Sequence, residues 1–97
     1  MANNKCNLRK AEVSVCIATS YPESREIEAS APILYDPIYS RERLSHAITI
    51  FLRQYFSEVV EVYIDDYRDT VAPFSIVSPS SADKFVTRLV SLITLQL

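Results

Sequence analysis

The side chains that could carry out chemistry in this sequence are few, and none stands beside a partner that would activate it. His46 is the single histidine and the only side chain that titrates near neutral pH without help. Its neighbours one helical turn away, among them Glu42 and Thr49, do not combine a nucleophile with a base and an orienting acid. We therefore predict a non-catalytic protein with no catalytic residues, in which His46 lies on the surface.

The cysteines and carboxylates do not follow the spacing of a known metal site. Cys6 and Cys16 stand alone, and a structural zinc site needs a cluster of cysteines and histidines that this sequence lacks. A run of carboxylates could collect a hard cation, but it lacks the turn glycine and the closing glutamate of a calcium loop. We predict free thiols, no metal site and no cofactor. The run consists of Glu58, Glu61, Asp65, Asp66 and Asp69.

The chain has 97 residues and no glycine, which excludes several classes of ligand site. Phosphate-binding loops, dinucleotide fingerprints and nucleophile elbows need backbone conformations or close approaches that only glycine allows without strain. A hydrophobic content of 48%, a charged content of 23% and a net charge of -2 are typical of one folded, mildly acidic domain. We predict no small-molecule substrate.

The first residues differ in composition from the rest of the chain. Residues 1–10 are polar and basic, and we predict that they form a flexible tail before a single α+β domain, residues 11–97. No apolar run reaches the ~20 residues of a membrane span, and the tail lacks the apolar core of a secretory signal. We predict a cytoplasmic protein without a membrane partner, in a bacterium or, if it is phage-encoded, in the host cell.

Alternating apolar and polar residues predict four strands. Residues 11–20 and 25–33 predict a first hairpin, and residues 59–66 and 71–77 predict a second one. Prolines lack the N–H that a sheet ladder needs, so Pro32 should end the second strand near residue 31 or place it at a sheet edge. Pro73 should likewise place the fourth strand at a sheet edge or introduce a bulge into it.

Apolar residues at intervals of three and four predict two helices. The first should begin at Ser40, whose hydroxyl can cap it, while Tyr39 and Leu44 are placed to form a hydrophobic staple. The second should begin in the segment Ser78-Pro79-Ser80-Ser81, where Asp83 stands three residues after Ser80. Residues 92–97 are compatible with either a helical or an extended conformation. The first stripe is Leu44, Ala47, Ile48, Phe51, Leu52, Tyr55 and Phe56, and the second is Ala82, Phe85, Val86, Leu89, Val90 and Ile93.

These elements give the order ββαββα. A four-stranded antiparallel sheet with both helices on one face would bury both apolar stripes, so we predict an α+β fold of that architecture. Several apolar, aromatic and acidic side chains then remain on the surface, which is typical of a protein that binds a partner or itself. The predicted interface residues are Ile50, Tyr63, Asp65, Asp66, Tyr67, Leu92, Leu95 and Leu97.

One part of the chain resembles a known family. Residues 34–40, LYDPIYS, lead into the first amphipathic helix and then into residues 60–65, VEVYID. This arrangement is similar to the small D-type proteins of bacterial His-Xaa-Ser peptide systems, which are encoded beside paired radical SAM enzymes that modify a ribosomally made peptide. The family's closing segment, rich in Asn, Asp and Arg around leucines, is not matched by residues 92–97. The resemblance implies an accessory protein without catalytic residues of its own.

Together these features predict a non-catalytic protein-binding module. We expect a small accessory subunit of a bacterial modification or assembly complex. The alternative is a phage-type inhibitor that masks a host protein machine, such as an anti-CRISPR protein. Nucleic-acid binding is less favoured, because aromatic and basic residues do not interleave on one strand face.

Overall fold

Four strands and two helices follow one another in the predicted order ββαββα in the computed structural model of this chain. The structure describes residues 7–20, 23–67 and 74–97. The elements are β1 (Arg9–Thr19), β2 (Arg25–Tyr35), α1 (Arg41–Leu52), β3 (Val59–Asp66), β4 (Ser75–Ile76) and α2 (Ala82–Thr94). None of the helices among the described residues is long and apolar enough to cross a membrane.

The sheet has the strand order β3-β1-β2-β4, and it is mixed. β1 lies between β2 and β3 and pairs antiparallel with both. β4 runs parallel to β2, where Ser75 lies beside Ile33 and Ile76 beside Leu34. The prediction of a purely antiparallel sheet is therefore wrong for the fourth strand.

The place of β4 follows from how β3 pairs and from where α2 packs. β3 supplies eight residues of alternating pattern, and β1 offers a matching stretch from Ala11 to Ala18. β4 has two residues within the described part and precedes α2, which packs against β2, so β4 lies at the β2 edge. The second hairpin consequently does not form, and β3 and β4 occupy opposite edges. Residues 71–73, including the proline of the predicted fourth strand, lie outside the described part.

Both helices cover one face of the sheet, as predicted. The odd-numbered residues of β1 from Ala11 to Ile17 are fully buried, while the even-numbered ones are not. α1 packs against β3, α2 packs against β2, and the helices pack against each other. A single core results. Its largest fully buried side chains are Ile17, Ile27, Ile33, Leu44, Ile48, Leu52, Leu89, Ile93, Val13, Val15, Val77 and Val86.

α1 begins as predicted and ends earlier. The Ser40 hydroxyl accepts a hydrogen bond from the Arg43 N–H at 3.1 Å, which caps the first turn. The helix stops at Leu52, and the N–H of Tyr55 then donates to the Leu52 carbonyl at 2.9 Å in a tighter turn. Tighter winding breaks the helical period, so Tyr55 is 55% exposed rather than part of the apolar stripe.

The end of the chain is helical up to Thr94 and continues in turns. The N–H groups of Gln96 and Leu97 donate to carbonyls three residues earlier, so residues 92–97 are not extended. The Thr94 hydroxyl donates to the Val90 carbonyl at 2.7 Å, as is common for helical threonine. His46 lies exposed on α1, which confirms its predicted surface position.

Two predicted boundaries shift in the structure. β1 begins at Arg9, so the last two positions of the predicted tail pair with β2, and residues 1–6 lie outside the described part. β2 continues through Pro32 to Tyr35. The carbonyls of Glu28 and Leu34 accept hydrogen bonds from outside the β1–β2 ladder, so even-numbered backbone groups face away from β1. Pro32 therefore removes no bond to β1.

Candidate protein-binding face

The sheet face opposite the helices is the candidate site, and we call it the open face. It consists of alternate residues of β1, β2 and β3, which strand geometry directs away from the core. Within the described residues, no helix or strand packs on it. Its members are Glu12, Ser14, Cys16, Ala18, Glu26, Glu28, Ser30, Pro32, Leu34, Glu61, Tyr63 and Asp65.

A shallow depression of about 400 Å³ occupies the centre of the open face. The side chains around it come from three neighbouring strands, and they include Cys16 from β1 and Glu28 from β2. Tyr63 of β3 forms one wall, is 53% exposed, and donates its hydroxyl to Glu61 Oε1 at 3.2 Å. A half-exposed aromatic ring beside a thiol and a carboxylate provides both apolar area and hydrogen-bonding groups.

Cys16 lies among carboxylates because of the strand register. Glu28 on β2 and Glu61 on β3 are its direct cross-strand partners. Glu26 pairs with Ala18, two residues further along β1 on the same face. Partial burial raises the pKa of the Cys16 thiol, and the negative charges of Glu26, Glu28 and Glu61 raise the pKa further. The thiol is therefore protonated at neutral pH and is a poor nucleophile.

Cys16 and its acidic neighbours are also the side chains that could hold a metal ion. In the described part of the chain, one thiol and two carboxylates have ligand atoms within 4.8 Å of one another, those of Cys16, Glu26 and Glu28. The sequence pattern does not indicate this group, because its members come together only through the β1–β2 register. The described members of the acidic run from 58 to 66 form no such group, and Asp69 lies outside the described residues.

The charges separate between the two sides of the molecule. The open face carries Glu12, Glu26, Glu28, Glu61 and Asp65, while Lys10 lies at one end of β1 and Arg25 begins β2. The helical side is richer in cations, with Arg43 and Arg53 on and after α1 and Lys84 and Arg88 on α2. The net charge of -2 therefore hides an acidic sheet face and a basic helical side.

The predicted interface residues do not form one surface. Tyr63 and Asp65 lie on the open face, while Asp66 ends β3 and pairs with Arg41 at the start of α1. Tyr67 is half-buried with its ring edge against Phe74, 5.2 Å between centroids. The remaining predicted residues are exposed on the helical side or at the end of α2. These are Ile50, Leu92, Leu95 and Leu97.

The Cys16 environment gives a test by thiol chemistry. Glu28→Gln should lower the pKa of the thiol and increase its rate of alkylation at neutral pH, because one neighbouring negative charge is removed. Iodoacetamide labelling, followed by mass spectrometry of the Cys16 peptide over a pH series, measures both quantities. Glu12→Gln on the same face is the control and should leave the rate unchanged. Equal rates in all three proteins would show that these carboxylates do not control the thiol.

Comparison of the chain with models of protein families, with curated proteins and with solved structures finds no match.

Proposed function

We propose that this protein is a non-catalytic protein-binding module that binds a basic segment of another protein on its open face. The observation that carries the proposal is the asymmetry of the sheet. One face is buried under two helices, and the other presents five carboxylates and the half-exposed ring of Tyr63. A partner with lysine or arginine side chains would complement this charge.

The parts of the open face have different roles in this proposal. Charges at the rim of an interface mainly accelerate association and exclude wrong partners, whereas buried aromatic anchors contribute most of the affinity. Tyr63 forms one wall of the central depression, on the β3 side, and we assign it the role of anchor there, whereas Glu12, Glu26 and Asp65 lie toward the rim. The same carboxylates repel phosphate groups, which disfavours nucleic acid as an occupant of this face.

The biological role that fits best is that of a small accessory subunit in a bacterial modification or assembly complex. Such a subunit contributes a binding surface while a partner enzyme carries out the reaction, as the resemblance to the D-type accessory proteins implies. A phage-type inhibitor is the second candidate. The acidic open face favours it as well, because an acidic surface can mask a basic functional surface on a host protein.

Charge reversal tests the proposed face against the other side of the molecule. The probe is a fluorescent synthetic peptide of alternating lysine and valine, and the measurement is fluorescence anisotropy at physiological salt. The double variant Glu28→Lys/Glu61→Lys should bind this peptide at least about tenfold more weakly, because attraction becomes repulsion at the centre of the face. The matched control, Glu42→Lys/Asp83→Lys, changes the net charge equally on the helices and should stay within about twofold of the wild type.

Two results would contradict the proposal. Equal weakening in both double variants would mean that the peptide senses only net charge, and no binding by the wild type would mean that the face does not recognise basic segments.

Cross-linking identifies the cellular partner of the open face. A photoreactive residue replaces Tyr63 on this face, and a photoreactive residue in place of His46 on α1 is the control. A modification enzyme as partner supports the accessory role, and a host machine supports the inhibitor role.

A further inference from the structure

The outer edge of β2 is an incompletely used hydrogen-bonding surface. Even-numbered residues of β2 direct their backbone groups away from β1 toward this edge. β4 covers only the end of the edge, at Ile33 and Leu34, and the Val77 N–H donates to the Leu34 carbonyl at 2.9 Å. From Arg25 to Pro32, no strand of the described residues pairs with β2 on this side.

Gln96, two residues after the end of α2, occupies one position on this edge. Gln96 Nε2 donates to the Glu28 carbonyl at 2.7 Å, where the N–H of a neighbouring strand would otherwise donate. The Arg25 guanidinium holds Gln96 in place by donating to its backbone carbonyl at 3.0 Å. The side-chain amide of Gln96 is therefore a substitute for a strand neighbour at Glu28. The even-numbered positions on either side, Glu26 and Ser30, are exposed.

We propose that the β2 edge, residues 25–31, accepts the basic partner segment as an added strand, and that this segment displaces Gln96. The inference rests on the proposed function and names how the partner docks. Side chains alternate along a strand, so every second side chain of the added strand faces the same side as Glu26 and Glu28. Lysine or arginine at those positions would lie beside two carboxylates. The partner is thus an extended segment with a basic residue at every second position.

The other edge of the sheet does not suit the same segment. At the β3 edge, Arg41 of α1 donates to the Ile64 carbonyl at 3.3 Å and pairs with Asp66. The guanidinium thus occupies a carbonyl that an added strand would use as an acceptor, whereas Arg25 at the β2 edge donates to the carbonyl of Gln96, the residue that the added strand displaces. Val62 faces the same edge as Ile64, because the two residues are two positions apart on β3. β3 therefore provides a control edge for β2, at Val62, whose side chain is half-buried against the core.

Proline substitution at an outward-facing position tests the inference. Ser30→Pro removes the N–H that an added strand would use and, like the natural Pro32, removes no donor to β1. It should weaken binding of the alternating lysine–valine peptide at least about tenfold, while Val62→Pro on β3 should leave it unchanged. Gln96→Ala should strengthen binding about threefold, because the competing amide is gone. Circular dichroism and thermal unfolding confirm that each variant folds.

A second measurement leaves the protein unaltered. A peptide of the same sequence with N-methyl groups on every backbone amide keeps its charges but cannot donate along either edge, and it should lose binding to the wild-type chain. Normal binding of this peptide, or normal binding by Ser30→Pro, overturns the edge inference. If Glu28→Lys/Glu61→Lys still abolishes binding in that case, the proposed function stands and only the docking mode fails. No binding of either peptide to the wild type overturns both.

Discussion

Leu52→Ala should destabilise the protein by about 3 kcal/mol, because it leaves a cavity in the core where the leucine side chain was. Leu52 is the last residue of α1 and is 0% exposed, in one stripe with Leu44 and Ile48. Truncation of a buried leucine loses both the transfer free energy of its methyl groups and the packing of the atoms around them. Chemical denaturation followed by circular dichroism measures the free energy of unfolding.

Two neighbouring positions serve as controls for the Leu52 prediction. Ile50→Ala should cost less than about 1 kcal/mol, because Ile50 is 49% exposed and lies on the outer side of the helix. Phe51 is half-buried at the margin of the core, so Phe51→Ala should fall between the other two despite the larger side chain. A larger loss for Phe51 than for Leu52 would show that the helix presents a different face to the sheet.

Arg41→Leu should cost about 1–3 kcal/mol, because Arg41 connects three elements. Its Nε donates to the hydroxyl of Tyr35 at 3.2 Å, and its guanidinium also donates to the Ile64 carbonyl and pairs with Asp66. Tyr35 is buried at the end of β2, so loss of the donor leaves a phenol oxygen without this bond in a place that water reaches poorly. The exposed pair with Asp66 contributes little by comparison.

A double-mutant cycle isolates the Tyr35 contribution. In a Tyr35→Phe background, Arg41→Leu should cost less, because the hydroxyl that lost its donor is no longer present. Arg43→Leu is the matched control, since Arg43 is an exposed arginine of the same helix and should cost only about 0.5 kcal/mol. An identical loss from Arg41→Leu in both backgrounds would contradict the role assigned to the hydrogen bond.

Local patterns predicted most of the elements. The alternation in β1 separated buried from outward positions, and Ser40 marked the start of α1, because both signals act between residues close in sequence. The partner of β4 could not be predicted in this way. After β1 has paired with β2 and with β3, each of these two strands keeps one free edge, and local patterns do not specify which of the two edges β4 joins.

The candidate site was predicted only in part, for the same reason. Tyr63 and Asp65 could be placed on an outward face from the period of β3 alone. The convergence of Cys16 with Glu28 and Glu61 required the registers of two strand pairs, which a single sequence does not specify. The hydrogen bond from Gln96 to the Glu28 carbonyl joins residues 68 positions apart, and no local rule anticipates it.

The central place of β1 has a consequence for how the chain is made. The β1–β2 hairpin leaves the ribosome before β3, and the second neighbour of β1 is complete only when residue 66 has emerged. Until then β1 has an unpaired edge and the hairpin has an exposed apolar face. Chaperones bind such surfaces, and aggregates form through them. Truncated translation products that end before β3 should therefore be the aggregation-prone species of this protein.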